Sequence, residues 1–289
     1  MGEAQDSGSS RCMGILCGGG LLPLRVAESL RARGVRVVAI GIEGEADAAL
    51  EAAADETYWT GLAKLGRWIA ILRRCGAREM LLCGSIRKGR MFGCKAALLP
   101  DWRSVKMWYS RLASKGDHTI LGALVDEFER EGIRVRSVPE CCPDLLSSPG
   151  PVTRRAPTRA QWADIRYGWP LVKQIAAMQI GQCIVVKECA VIAVEGIDGT
   201  DATLERGGTL ARKGAVAVKV AKEGHDDRFD IPSIGPDTVD VLERSGVAVL
   251  AIEAGRTILL DAAEVAARGD RAGVCIIAVG PREIEEVGQ

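Results

Sequence analysis

Apolar positions in this chain come in short runs separated by glycine turns and by stretches of helical spacing. Residues 13–20 read Met-Gly-Ile-Leu-Cys-Gly-Gly-Gly, an apolar strand entering a glycine turn. Residues 24–33 have helical spacing and stop at Gly34, and residues 35–42 form a second, β-branched strand. Residues 62–75 predict an amphipathic helix closed by Gly76, and residues 80–83 a strand ending at Gly84. A helix over 119–131, stopped by Gly132, returns to strand at 133–138. Strands alternating with helices imply βαβ units and a parallel sheet.

The pattern changes after residue 138. Prolines fall at 139, 143, 149, 151 and 157, with serines and Gly150 between them, which reads as a linker over 139–160. Beyond it, residues 163–178 read as a helix interrupted by Gly168 and Pro170. Strands are expected at 183–187, 190–195, 215–220, 247–252, 257–260 and 274–279, with helices at 238–245 and 264–268. The expectation is therefore α/β with two domains. An N-terminal Rossmann-like parallel sheet (1–138) is joined by the proline-rich linker to a C-terminal mixed α/β domain (161–289).

Composition narrows the function. Hydrophobic residues make up 47%, enough for two real cores. Lysine plus arginine balances aspartate plus glutamate at 38 each, which argues against a nucleic-acid binder. No apolar run approaches the ~18 residues of a membrane span. The polar first eleven residues lack a signal core, so the expectation is a cytoplasmic protein. Ten scattered cysteines form no Cys-x-x-Cys pair and match a reduced interior.

Four segments carry candidate chemistry. Gly18-Gly19-Gly20 lies between a strand and a helix, where glycines let backbone approach a phosphate. It lacks the Gly-x-Gly-x-x-Gly spacing of dinucleotide folds, and a plain tight turn explains it equally well. Lys115-Gly116-Asp117-His118 opens a helix with Asp117 placed as a cap. Glu195-Gly196-Ile197-Asp198-Gly199-Thr200-Asp201 puts three carboxylates at a strand exit, which suits a hard cation or a polar turn in which Asp201 caps the next helix. Residues 219–238 mix Lys219, Lys222 and Arg228 with Asp226, Asp227 and Asp230 in one loop. Such a mixture suits phosphoryl chemistry, where cations meet developing negative charge. A solvated charged loop is the alternative.

Taken together these stretches resemble the UDP-2,3-diacylglucosamine pyrophosphatases of the LpxI type. The resemblance runs through residues 14–24, 100–103 and Lys115-Gly116-Asp117, then Gly181-Gln182 and residues 193–202, and ends with residues 228–238 and Glu253-Ala254-Gly255-Arg256. It implies two α/β domains with a lipid substrate in the cleft between them. It implies hydrolysis of the diphosphate to UMP and 2,3-diacylglucosamine 1-phosphate, with water attacking the α-phosphorus assisted by Mg2+. Asp230 matches the family's key acid. Glu195 and Asp201 are expected to share the metal with it. Thr200, Lys222, Arg228, Gly18–Gly20, Lys115 and Asp117 are expected to meet the substrate. Trp102, Trp108 and Tyr109 could offer the acyl chains an apolar surface, although a place in the core is the better reading of these aromatics. The resemblance further implies transient peripheral contact with the inner membrane and self-association. The chain departs from the pattern at residues 84–88, which lack a proline, and at His118, His225 and Ser233. Two other readings stand beside it: a nicotinamide-dependent oxidoreductase, and a nucleotide or nucleotide-sugar binding protein without hydrolase activity.

Overall fold

The computed structural model describes residues 11–86, 100–110, 117–222, 226–228 and 231–285. The chain divides into two compact units, Met1–Asp144 with Asp227–Phe229, and Leu145–Asp226 with Asp230–Gln289.

The first unit begins with β1 (Cys12–Cys17), α1 (Leu22–Ala32), β2 (Arg36–Ile42), α2 (Leu50–Ala53) and β3 (Glu56–Thr60). It continues through α3 (Leu65–Arg74), β4 (Glu79–Cys83), α4 (Trp102–Ser110), α5 (Asp117–Arg130), β5 (Arg134–Val135) and α6 (Val138–Cys141). The sheet runs β3-β2-β1-β4-β5 and every pair is parallel. The chain therefore reverses its direction of winding between β1 and β4, the place where open α/β sheets hold ligands. Its core joins Val38, Ile40 and Met80 of the strands to Leu72 of α3 and to Val125 and Phe128 of α5.

In the second unit β6 (Gly150–Pro151) is followed by α7 (Arg159–Ala177), β7 (Cys183–Lys187), β8 (Ala190–Val194), α8 (Gly199–Ala211) and β9 (Ala215–Lys219). Then come β10 (Ser233–Ile234), α9 (Pro236–Ser245), β11 (Val247–Glu253), β12 (Ile258–Leu259), α10 (Ala262–Ala272), β13 (Cys275–Val279) and α11 (Pro281–Glu285). Six strands form a mixed sheet, β6-β13-β11-β9-β7-β8. Strands β9, β11 and β13 are parallel, while β7, β8 and β6 pair antiparallel. Both faces are covered. Ile165, Trp169 and Val172 of α7 pack on Ile184, Val186, Val216 and Val218, whereas Leu204, Val239, Leu242 and Val265 pack on the opposite set, Val185, Ala217 and Leu250. Burying each such side chain contributes about 1.5–3 kcal/mol.

One expectation is refined and one corrected. The division between the units falls inside the expected linker 139–160, and the stretch on either side of that division is folded. Ser137 caps α6 with its side chain, and Asp144 accepts from Ser29 at 2.8 Å and from Arg33 at 2.5 Å in the first unit. Past the division at Asp144 and Leu145, Ser147 donates to Thr257 O, β6 pairs with β13, and buried Thr153 accepts from Ile276 N at 2.8 Å. Prolines here shape a docked segment. Second, α7 is continuous through Gly168 and Pro170. An interior proline costs about 3 kcal/mol, and burial of Ile165, Trp169, Val172 and Ala176 more than offsets it. Gly168 allows a close helix-to-sheet approach there, because a Cβ would stand 3.0 Å from Val186 Cγ2.

Helix α8 shows the same trade more sharply. Its two central glycines are poor helix formers, yet a Cβ at Gly207 would meet Val185 at 2.6 Å and one at Gly208 would meet Ser245 O at 2.0 Å. Gly208→Ala is expected to cost at least about 1–3 kcal/mol through overpacking. Gly122→Ala in α5, where nothing lies within 4 Å of the new methyl, is expected to gain about 0.5–1 kcal/mol. Thermal and urea unfolding of the two variants would check this, and equal effects would contradict it.

Candidate active site

Strand pairing brings three polar residues to one edge of the second sheet. Cys183 of β7 stands opposite Lys219 of β9, Lys219 opposite Ile252 of β11, and Ile184 opposite Val194 of β8. The carboxyl ends of β8, β9 and β11 thus deliver Glu195, Lys219 and Glu253 to the same end of the sheet, with β7 between the first two. All three are buried, with exposures of 7%, 7% and 9%.

Buried carboxylates need donors, and each has them. Thr200 Oγ1 donates to Glu195 Oε1 at 3.0 Å, and Gln182 N donates to Glu195 Oε2 at 3.2 Å. Gly181 permits this approach, since a Cβ there would fall 2.1 Å from Glu195 O. Lys173 Nζ donates to Glu253 Oε1 at 2.7 Å, and Ala221 N to Glu253 Oε2 at 2.8 Å. Lys219 Nζ donates to Ser233 O at 3.0 Å and ties β9 to β10. Gln182 Oε1 is buried with no hydrogen-bond partner among the described residues, an acceptor facing away from bulk water beside Glu195.

Asp201 lies in the first turn of α8, where its charge complements the helix dipole. It does not cap that helix, which was the alternative reading of the segment. Asp198 holds the cap position without accepting from the helix's first backbone N–H groups; it accepts from Gly196 N at 3.0 Å and from the Arg206 side chain at 3.0 Å. Burial pushes the Cys183 thiol up to about 12, with Glu195 and Asp201 adding to the rise and Lys219 opposing it. Strand pairing sets Glu195 and Lys219 on either side of Cys183 at the start of β7.

The other expected residues lie elsewhere. Gly18 N donates to Cys83 O at 2.8 Å and Gly19 N to Ser85 O at 2.7 Å, forming a bridge between the exits of β1 and β4. A Cβ at Gly18 would meet Ser85 O at 2.5 Å, and one at Gly84, whose φ is +85°, would meet Gly19 O at 2.6 Å. These glycines therefore serve a close backbone approach at the switch point. Gly20 has φ +92° and open space around it. Lys222 is half-buried just beyond β9. Arg228, in the first unit, donates to Glu129 at 2.8 Å. Asp230, Lys115 and His225 lie outside the described residues, as does the side chain of Asp117, which begins α5. Trp102 is 79% exposed; the side chains of Trp108 and Tyr109 are not described. Lys173 and the anchoring role of Glu253 were missed by sequence reading. The signal available was one glutamate closing a wholly apolar strand.

Residues 12–145 match the LpxI N-terminal domain and residues 148–277 the LpxI C-terminal domain. A Caulobacter vibrioides protein, UDP-2,3-diacylglucosamine pyrophosphatase LpxI, is 31% identical over 285 residues, covering 94% of this chain and 99% of that protein. The chain belongs to the LpxI family. A bifunctional purine biosynthesis protein, PurH, from Anaeromyxobacter is 29% identical over 45% of the chain but only 23% of its own length. Among solved structures, the biotin carboxylase subunit of pyruvate carboxylase covers 64% of this chain and 35% of its own at 13% identity, with a TM-score of 0.26. A likeness of that size carries no argument.

In this LpxI-family chain the described half of the expected metal site has the right donors. Glu195 and Asp201 offer carboxylate oxygens, the ligands that a hard dication takes. Each Glu195 oxygen accepts one bond and keeps a further lone pair. Among the described residues no group of three His, Cys, Asp or Glu surrounds one point, and the third expected ligand is Asp230. No described helix is long and apolar enough to cross a membrane.

The buried thiol gives a direct check of this edge. Native protein treated with iodoacetamide at pH 8 is expected to label exposed Cys189 quickly and to leave Cys183 unlabelled until unfolding. Peptide mass spectrometry showing equal rates at the two would contradict the packing described.

Proposed function

We propose that this chain hydrolyses the diphosphate of UDP-2,3-diacylglucosamine, releasing UMP and 2,3-diacylglucosamine 1-phosphate for lipid A biosynthesis. The observation that carries this reading is similarity along essentially the full length of both chains to a protein that bears the pyrophosphatase name. Partial or single-domain similarity would support far less, because function resides in a site rather than in a fold.

Water attacks the α-phosphorus in this reading, and the chain supplies position and charge. Asp230 orients the attacking water or joins Glu195 and Asp201 in holding Mg2+. Bound there, the cation neutralises charge on the diphosphate oxygens. Thr200 and the Gln182 N–H fix the Glu195 carboxylate, so that its direction is set before substrate arrives. Lys222 and Arg228 offer charge-assisted hydrogen bonds to phosphate oxygens. Arg228 must exchange Glu129 for the substrate to do so. Gly18–Gly20, Lys115 and Asp117 are proposed substrate contacts of the first unit. Cytoplasmic location, transient contact with the inner membrane surface and self-association belong to the same reading.

The test is UMP release from UDP-2,3-diacylglucosamine with and without magnesium. Magnesium-dependent release is expected, with Asp230→Ala losing at least about 100-fold and Glu195→Gln at least about tenfold. Tight nucleotide binding without release, across several divalent metals and in folded protein, would favour a non-catalytic binding protein instead.

A further inference from the structure

The described chain on either side of the loop that follows Lys222 is held by bonds within the second unit. On entry, Val220 N donates to Gln182 O at 3.0 Å and Ala221 N to Glu253 Oε2 at 2.8 Å. Arg256 Nη2 donates to Lys222 O at 3.3 Å, and Arg256 Nη1 stands 3.8 Å from Glu253 Oε1. On exit, Lys219 Nζ holds Ser233 O and Ile258 N holds Pro232 O at 2.8 Å. The centre of the entry side is Glu253. Its two oxygens divide between Lys173 Nζ and the Ala221 amide.

A buried glutamate closing an apolar strand is a costly choice if only stability is at stake. Apolar replacements of buried ion pairs are often as stable or more so. What a carboxylate does that an apolar residue cannot is grip one specific backbone N–H, with two cations to hold it in place. Here that N–H precedes Lys222 by one residue.

We propose that Glu253 is a positioning residue for the pyrophosphatase reaction, fixing Lys222 through the clamp formed by Glu253, Lys173, Arg256 and the Ala221 amide. The proposal rests on the functional reading above for the role of Lys222, and on the geometry alone for the clamp. Because Lys222 would meet the diphosphate, an error of about 1 Å in its backbone would lower kcat/KM by as much as 100-fold.

Glu253→Gln is the discriminating change. A carboxamide has one acceptor oxygen in place of two. Lys173, being charged, claims that oxygen, and the amide NH2 is left facing the Ala221 N–H. Two measurements follow. Hydrogen exchange over residues 219–222 is expected to quicken by at least about tenfold, with residues 184–186 of β7 unchanged. Steady-state UMP release is expected to fall by about 10- to 100-fold in kcat/KM. Glu253→Gln added to Lys222→Ala is expected to cost nothing further, because Glu253 acts through Lys222. Where the amide variant fails to fold, Glu253→Asp keeps the charge, is one methylene short of spanning both donors, and is expected to shift both readouts in the same direction. Unchanged exchange at 219–222, or losses from Glu253 and Lys222 that multiply, would overturn the proposal. Wild-type protein that releases no UMP would sink the pyrophosphatase reading, and the exchange experiment would still decide the clamp.

Discussion

A carboxylate taken out of water must find its donors inside the protein, and two such carboxylates organise the second unit. Glu195 and Glu253 close β8 and β11 at the same edge of the sheet. Each holds one backbone N–H from a neighbouring strand's end, Gln182 and Ala221. Those two N–H groups fix the start of β7 and the departure of the loop after β9. An unpaired buried charge would cost several kcal/mol, so the strand ends have little freedom to drift. The close approach at Gly181, the hydroxyl of Thr200 and the reach of Lys173 all follow from meeting that demand.

The first unit solves a different problem by different means. Its strand exits meet backbone to backbone, with Gly18 and Gly19 against Cys83 and Ser85. There the scarce resource is space rather than hydrogen-bond donors, and glycine supplies it. In both units the chain places its unusual residues where parallel strands end, which is also where α/β folds conduct their chemistry.

Much of this was legible in the sequence. The apolar runs that became β1, β2, β4, β7, β11 and β13 are short blocks with a glycine close to at least one end, and such blocks have few alternatives. Strand β3 was missed because it is mostly half-buried at the sheet edge and shows no clean alternation. Helix α8 was expected only as an element after Asp201 without bounds, because Gly207 and Gly208 look like breakers, and only Val185 and Ser245, distant in sequence, explain them. The acidic stretch after β8 was visible as chemistry, yet its division of labour was not. Glu195 is buried and bonded, Asp198 pairs with Arg206, and Asp201 faces solvent. Glu253 drew notice only as part of a recurring tetrapeptide, since its partners Lys173 and Ala221 lie 80 and 32 residues away. The proline-rich stretch did contain the division between the units, but composition marks only irregular backbone, and irregular backbone can be docked as firmly as any helix.

That docked stretch has a consequence for the edge of the second sheet. Strand β13 would otherwise end the sheet with its outward N–H and C=O groups bare, a row that invites pairing with another chain. Gly150 and Pro151 cover it from outside, and Thr153 secures the cover through Ile276. The cover is only two residues long and ends in a proline, so it can shield the edge without offering a new one for a further strand to join. A fragment begun at residue 161 would uncover a sticky apolar margin, whereas one begun near residue 145 carries its own guard against aggregation.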